Sequence, residues 1–276
     1  MELGIDTSEG RAGFFRQIAI YFTRCVRGFK NDGGWKSFIS VAIITLLICL
    51  VTGPGLFVEY ADTKNGAFAL VCACIWIGIF NSIRVICRER DIVQREHRTG
   101  LRLDSYVIAH WLYEAALCAI DALIVVVLVR IFNFDHFIES GVFGFPTIEL
   151  YITFFLIVFG SDALGLLISA IVHNENTAMT VMPFALIIQL VMSGLIFKLE
   201  GITDLISYLT ISRWGLDAIC ASARVNEMAE VAAGYAESIP ELAATPENLL
   251  FLWGILFAFA VLYAIIAYIA LAIANR

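Results

Sequence analysis

The sequence predicts an all-α integral membrane protein with six transmembrane helices. An N-terminal amphipathic interfacial helix, a charged cytoplasmic helix after the second span and a larger outer loop between spans five and six complete the expected architecture. Three observations carry this. Hydrophobic residues make up 60% of the chain and charged ones 16%, with a strongly positive mean hydropathy. Apolar runs long enough to cross a bilayer recur, and about 20 residues span the hydrocarbon. Lysine and arginine gather on alternate connections, as the positive-inside rule requires. Lipid offers no partner to a backbone amide, so such runs close their own hydrogen bonds as helices. The roughly 10-residue alternating segments of a β-barrel do not appear.

Residues 1–34 form a cytoplasmic linker with the amphipathic helix, and 35–276 form the six-span domain. In "FFRQIAIYFTRCVRGFK", Phe15, Ile18, Phe22, Val26 and Phe29 fall on one side, and Arg16, Arg24, Arg27 and Lys30 on the other. Such a helix lies in the interface plane, either as a simple anchor or as a brace against a partner. "NDGG" ends it and turns the chain into the first span, 35–53. The second span is 66–86 and the third 106–132, which Asp104 or Ser105 can cap. An aromatic loop leads to the fourth, about 148–172, and "HNEN" turns into the fifth, 177–197. Some fifty mostly polar residues separate it from the sixth, 248–274. The first apolar run begins too far in, and is too long, for a signal peptide.

The N-terminal segment carries Arg11, Arg16, Arg24, Arg27, Lys30 and Lys36; the second connection and its flank carry Arg84, Arg88, Arg90, Arg95, Arg98 and Arg102. The opposite loops hold only Lys64, Arg130, Lys198, Arg213 and Arg224. Both termini, Arg276 included, are therefore expected in the cytoplasm, across a bacterial cytoplasmic membrane. The net charge of −7 comes mainly from an acidic outer loop (Glu200, Asp204, Asp217, Glu227, Glu230, Glu237, Glu241, Glu247) and does not point to nucleic acid. No GxxxxGK[ST] loop, HExxH, GxSxG or paired CxxC occurs, so no catalytic residue and no metal site are expected in this chain. Among the seven cysteines, Cys72 and Cys74 point to different helix faces and read as small packing residues.

"CRERDIVQREHRTGLRLDS", 87–105, is the most charged run in the chain. A positive-inside loop needs its arginines but has no use for interleaved glutamates. Read as a helix, Glu89 and Glu96 share a face, Arg88, Arg95 and Arg102 a neighbouring one, and pairs such as Asp91–Arg95 add a few tenths of a kcal/mol each. Gly100 permits a break.

"RERDIVQREHRTGLRLDSYVIAHWL" resembles the join between spans two and three of ABC-2-type permeases, especially the G subfamily of ABC transporters. Glu89, Glu96 and Gly100 fill its E(x6)E(x3)G pattern. "NTAMTVMPFALIIQLVMSGLIFKLEGI" and "ISRWGLDAI" are similar to the family's fifth span and outer helix, and the permease half of bacterial forkhead-associated-domain/ATPase/permease fusions is especially similar. The resemblance implies an ATP-driven exporter of apolar or amphipathic cargo, working by alternating access as a homo- or heterodimer of permease copies. ATP and magnesium would sit on a partner ATPase subunit or fused domain. It makes 87–100 the coupling helix, with Glu89, Arg95, Glu96, Arg98 and Gly100 meeting the ATPase and Arg24 or Arg27 bracing it. It places Cys74, Ile77, Gly78, Asn81, Leu186, Ile187, Leu190 and Val191 along the substrate path, with plain helix packing the alternative. Leu195 and Ile196 would form an outer gate, the alternative being contact with lipid. An outer disulfide is not expected, because only Cys220 lies there.

Glu114, Asp121 and Asp162 fall inside spans, where a carboxylate costs on the order of 2.5–3.5 kcal/mol. They serve either as interhelical hydrogen-bond glue or as cation or proton sites. The second use would suit a secondary transporter, though no inverted repeat is evident. A lipid-modifying enzyme would need a His/Asp/Cys cluster near an interface, which is missing.

Overall fold

A computed structural model describes residues 13–274, except 32, 54–55, 135–136, 139, 198, 229–230, 232 and 236–237. Arg11, Lys198, Glu230, Glu237 and Arg276 of the charge distribution, and Asp32 of the first turn, lie outside the described residues.

Helices form at all six apolar runs: α2 (Lys36–Thr52), α3 (Tyr60–Ser82), α5 (Leu103–Phe132), α6 (Pro146–Ile171), α7 (Glu175–Val191) and α10 (Pro246–Ala274). Around them stand α1 (Phe14–Asn31), α4 (Val85–Arg98), and the short α8 (Ile202–Ser207) and α9 (Ile211–Ser222). No strand occurs among the described residues. Among the described residues, four helical stretches are long and apolar enough to cross a membrane: Tyr60–Arg98, Leu103–Phe132, Pro146–Ile171 and Pro246–Ala274. α1 and α2 qualify only as one pair, bent by 73°. At 17 residues each, α2 and α7 reach only ~25 Å against ~30 Å of hydrocarbon. Helix length by itself accounts for four of the six expected crossings, or five with the bent pair.

α6 is the central helix, packed against α3, α5 and α10. Small residues bring α3 and α6 together. A Cβ on Gly78 would overlap the Val158 carbonyl, and one on Gly165 the Ser82 hydroxyl. Ser82 Oγ donates to the Asp162 carbonyl at 2.6 Å, tying the two backbones.

Three boundaries differ from expectation, each for a local reason. α5 starts at Leu103, capped by Arg102 without a side-chain bond; Asp104 lies in its first turn, paired with Arg102 at 2.7 Å. α7 stops at Val191, because Ser193 Oγ donates to the Leu190 carbonyl (2.9 Å) and Gly194 turns the chain at φ 79°. The outer loop is less polar than expected: α9, which covers the expected outer helix, buries Ile211, Leu216, Ala218 and Ile219 against α3, α6 and α10.

Candidate functional site

α3 and α4 run on as a single helical stretch of 39 residues, Tyr60–Arg98. The charged run therefore extends a span beyond its apolar part, and the chain reverses only after Arg98, through Gly100 at φ 119°. α4 buries Ile86, Cys87, Arg90 and Val93, a stripe of helical period that packs on α6. Arg88, Asp91, Ile92, Arg95 and Arg98 stay exposed on its other side.

The interleaved glutamates face α1. Arg24 spreads its guanidinium between them, 3.3 Å from Glu89 and 3.3 Å from Glu96. The Tyr21 hydroxyl donates to Glu96 at 2.6 Å and the Tyr106 hydroxyl to Glu89 at 3.1 Å. His110 Nε2 lies 3.8 Å from Glu89, and its ring packs on Tyr106 at 4.5 Å. Gln17 holds the reversal, donating to the Gly100 carbonyl (3.3 Å) and accepting from the Arg102 amide (3.0 Å). Charge-assisted bonds are worth about 1.5–3 kcal/mol when shielded. With Arg24 and Glu96 each more than a third exposed, these fall toward the ~0.2–1 kcal/mol of surface pairs.

The opposite side of α4 is bound to the end of α6. Ser169 Oγ accepts from the Ile86 and Cys87 amides, both at 3.0 Å. Buried Arg90 donates to the Ala170 carbonyl at 2.7 Å and the Val172 carbonyl at 3.1 Å, satisfying acceptors that the end of α6 leaves open. α7 begins three residues later, where Asn174 accepts from the Thr177 amide at 2.8 Å. α4 is thus gripped between α1 and the turn that leads into α7. Arg90, Tyr21, Gln17 and His110 went unread in the sequence, because an arginine in a charged run reads as surface, Gln17 and Tyr21 belong to neither stripe read in the amphipathic helix, and His110 lies in an apolar one.

Arg27 is exposed and makes no part of this knot; of the two arginines, it is Arg24 that meets the glutamates. Among the described residues, no group of three or more His, Cys, Asp and Glu is placed to hold a metal ion. Residues 16–223 match the ABC-2 type transporter family. The chain belongs to the ABC-2 type transporter family. It is also similar to an ABC transporter ATP-binding/permease protein of Mycobacterium tuberculosis, 27% identical over 219 residues. That stretch is 75% of this chain and 25% of the relative, so the chain spans about a quarter of that protein's length.

Within this ABC-2 chain the expected path residues divide. Cys74 and Ile77 are buried, and Gly78 is enclosed by α6, so these three present no surface. Asn81 is half-buried and donates to Asp121 at 2.8 Å, which joins it to the intramembrane carboxylates. On α7, Ile187 and Leu190 are exposed, Leu186 and Val191 half-buried. Only Ala178, Met182 and Gln189 bury a narrow stripe of α7, leaving Phe184, Ile187 and Ile188 more than half exposed. Gln189 fastens α7 to α9, accepting from the Ser212 amide at 3.1 Å.

Leu195 and Ile196 lie in the turn after α7 rather than on it. Ile196 is exposed, and Leu195 lines a cavity of about 480 Å³ with Arg213 and Asp217 of α9. Arg213 pairs with Asp204 and Ser207. Burial pushes the Asp217 carboxyl up to about 7; Arg213 pulls it down by a lesser amount. Glu114, Asp121 and Asp162 are almost wholly buried, and both Asp162 oxygens and one oxygen each of Glu114 and Asp121 lack a hydrogen-bond partner.

Proposed function

We propose that the chain is the membrane subunit of an ATP-driven exporter, moved through α4 by an ATPase on a partner chain or fused domain. The observation that carries this is the double grip on α4. Its exposed face offers Arg88, Ile92, Arg95 and Arg98 to a partner, and its buried face is bonded to α6 beside the start of α7. A push on the exposed face therefore reaches α7 through a helix end, with Arg24 and Gln17 making α1 move as part of the same body. Family membership supports an ATPase partner, and the Mycobacterium tuberculosis relative is by name both ATP-binding and permease.

Two copies would meet across the apolar outer face of α7, and the cargo would move along Leu186, Ile187, Leu190 and Val191. On α3, Trp76 and Phe80 are exposed and Cys74, Ile77 and Gly78 buried, so in this proposal the first two would serve as its share of the wall. Leu195 and Ile196 close the outer end. The arginine-rich end of the bundle, with both termini, faces the cytoplasm. Glu96→Ala tests the reading: the variant should insert and assemble normally, yet lose most transport-linked ATP hydrolysis, because Tyr21 loses its partner on α4 and Arg24 keeps only Glu89. Unchanged hydrolysis and export at unchanged expression would refute it.

A further inference from the structure

A cleft of about 380 Å³ lies between α1, the α1–α2 corner, the α3–α4 junction and α5. Its walls are aromatic as well as charged: Phe29 and Tyr113 line it beside Glu114. Glu114 is 2% exposed, and its Oε2 is enclosed with no hydrogen-bond partner. The other polar groups around the cleft are engaged. Arg24 bonds Glu89 and Glu96; Glu89 also accepts from Tyr106 and lies against His110; Asn81 donates to Asp121. Arg88 is exposed on the α4 wall. A buried carboxylate without donors is costly, and no side chain here supplies them.

We propose that this cleft binds the ammonium group of a cationic amphiphile, with Glu114 as its anion and Phe29 and Tyr113 packing its apolar stem. An ammonium supplies both the missing donors and the missing charge, and aromatic faces favour a cation over an isosteric neutral group. An anion placed against Glu114 would meet a like charge. Glu114 lies on α5 within the bundle, and the cleft is bordered by α1, the interfacial helix. An amphiphile partitioned into the adjacent leaflet enters it head first.

The test uses the full chain in lipid nanodiscs without ATPase, so its failure leaves the transport reading standing. Equilibrium dialysis with labelled 4-phenylbutylammonium, corrected for empty nanodiscs, should show saturable binding of one probe per chain. 4-Phenylbutanol and 4-phenylbutyrate should bind at least tenfold more weakly. Glu114→Gln, which keeps shape and removes charge, should weaken the ammonium at least tenfold and leave the alcohol unchanged. Leu117→Trp fills the cleft with Glu114 intact and should abolish binding of both, which decides the matter if the glutamine variant does not fold. Equal binding of ammonium and alcohol, indifference to both substitutions, or uptake no greater than that of empty nanodiscs overturns the proposal.

Discussion

One guanidinium serves two carboxylates that stand seven residues apart on α4, and this explains the spacing. Two helical turns put Glu89 and Glu96 on one face about 10 Å apart along the axis, within the combined reach of their side chains and a forked cation. Arginine can present separate nitrogens to each; here Nη2 meets Glu89 and Nη1 meets Glu96. Lysine is a point charge and can sit against only one of them. Arg24→Lys should therefore lower the stability of the purified chain by about 0.5–1.5 kcal/mol, since the pairs are partly exposed. Comparing thermal melts in one detergent checks this, with Arg27→Lys as the reference. An equal shift for both would show that Arg24 holds no special place.

At the scale of helices, the long apolar runs were readable because each is free of charge for most of a membrane thickness, and that fixed their order and type. Their ends were less readable. α7 stops early through a hydroxyl-to-carbonyl bond at Ser193 and a left-handed Gly194, neither of which interrupts the apolar run. α9 was expected as an outer helix, but its burial was not legible, because Arg213, Trp214 and Asp217 do not suggest a buried helix although nine of its 12 residues are buried. The glutamate–arginine knot was legible from helical faces, whereas the Arg90 strut was not, because its partners are backbone carbonyls far along the chain. The path residues on α3 were chosen by position in a span, and only packing shows that Gly78 faces α6. That contact yields a sharp expectation. Gly78→Leu must displace the Val158 backbone, an overpacking cost of about 1–3 kcal/mol or more, and should sharply reduce folded protein in the membrane. Gly254→Leu, with nothing within 4 Å of an added Cβ, should be tolerated. Equal yields of the two variants, read by gel filtration after extraction, would show that α3 and α6 are not in close contact.

At the scale of the whole molecule, the chain joins two unlike ends through one central helix. The end with α4, α1 and the start of α5 is held by charged bonds and tyrosines. The other, with α8 and α9, encloses a cavity under the turn that follows α7. α6 connects them, bonded to α4 at its last turn and packed on α9 and α10 along its length. α7 is fastened at both ends, by the 172–174 turn and by Gln189, but little along its outer side. In the proposed alternating-access reading, α7 is the helix that rocks when its ends are driven. The central claim is that an ATPase drives the α4 end. A photoreactive amino acid at position 95 or 98, both exposed, tests it most directly when the chain is expressed in its own membranes. Mass spectrometry of the cross-linked product should show an ATP-binding domain captured from positions 95 and 98. Position 235, 88% exposed between α9 and α10 at the other end, should capture none. Capture of an ATP-binding domain from position 235, or no such capture from 95 and 98 at normal expression, would contradict the account.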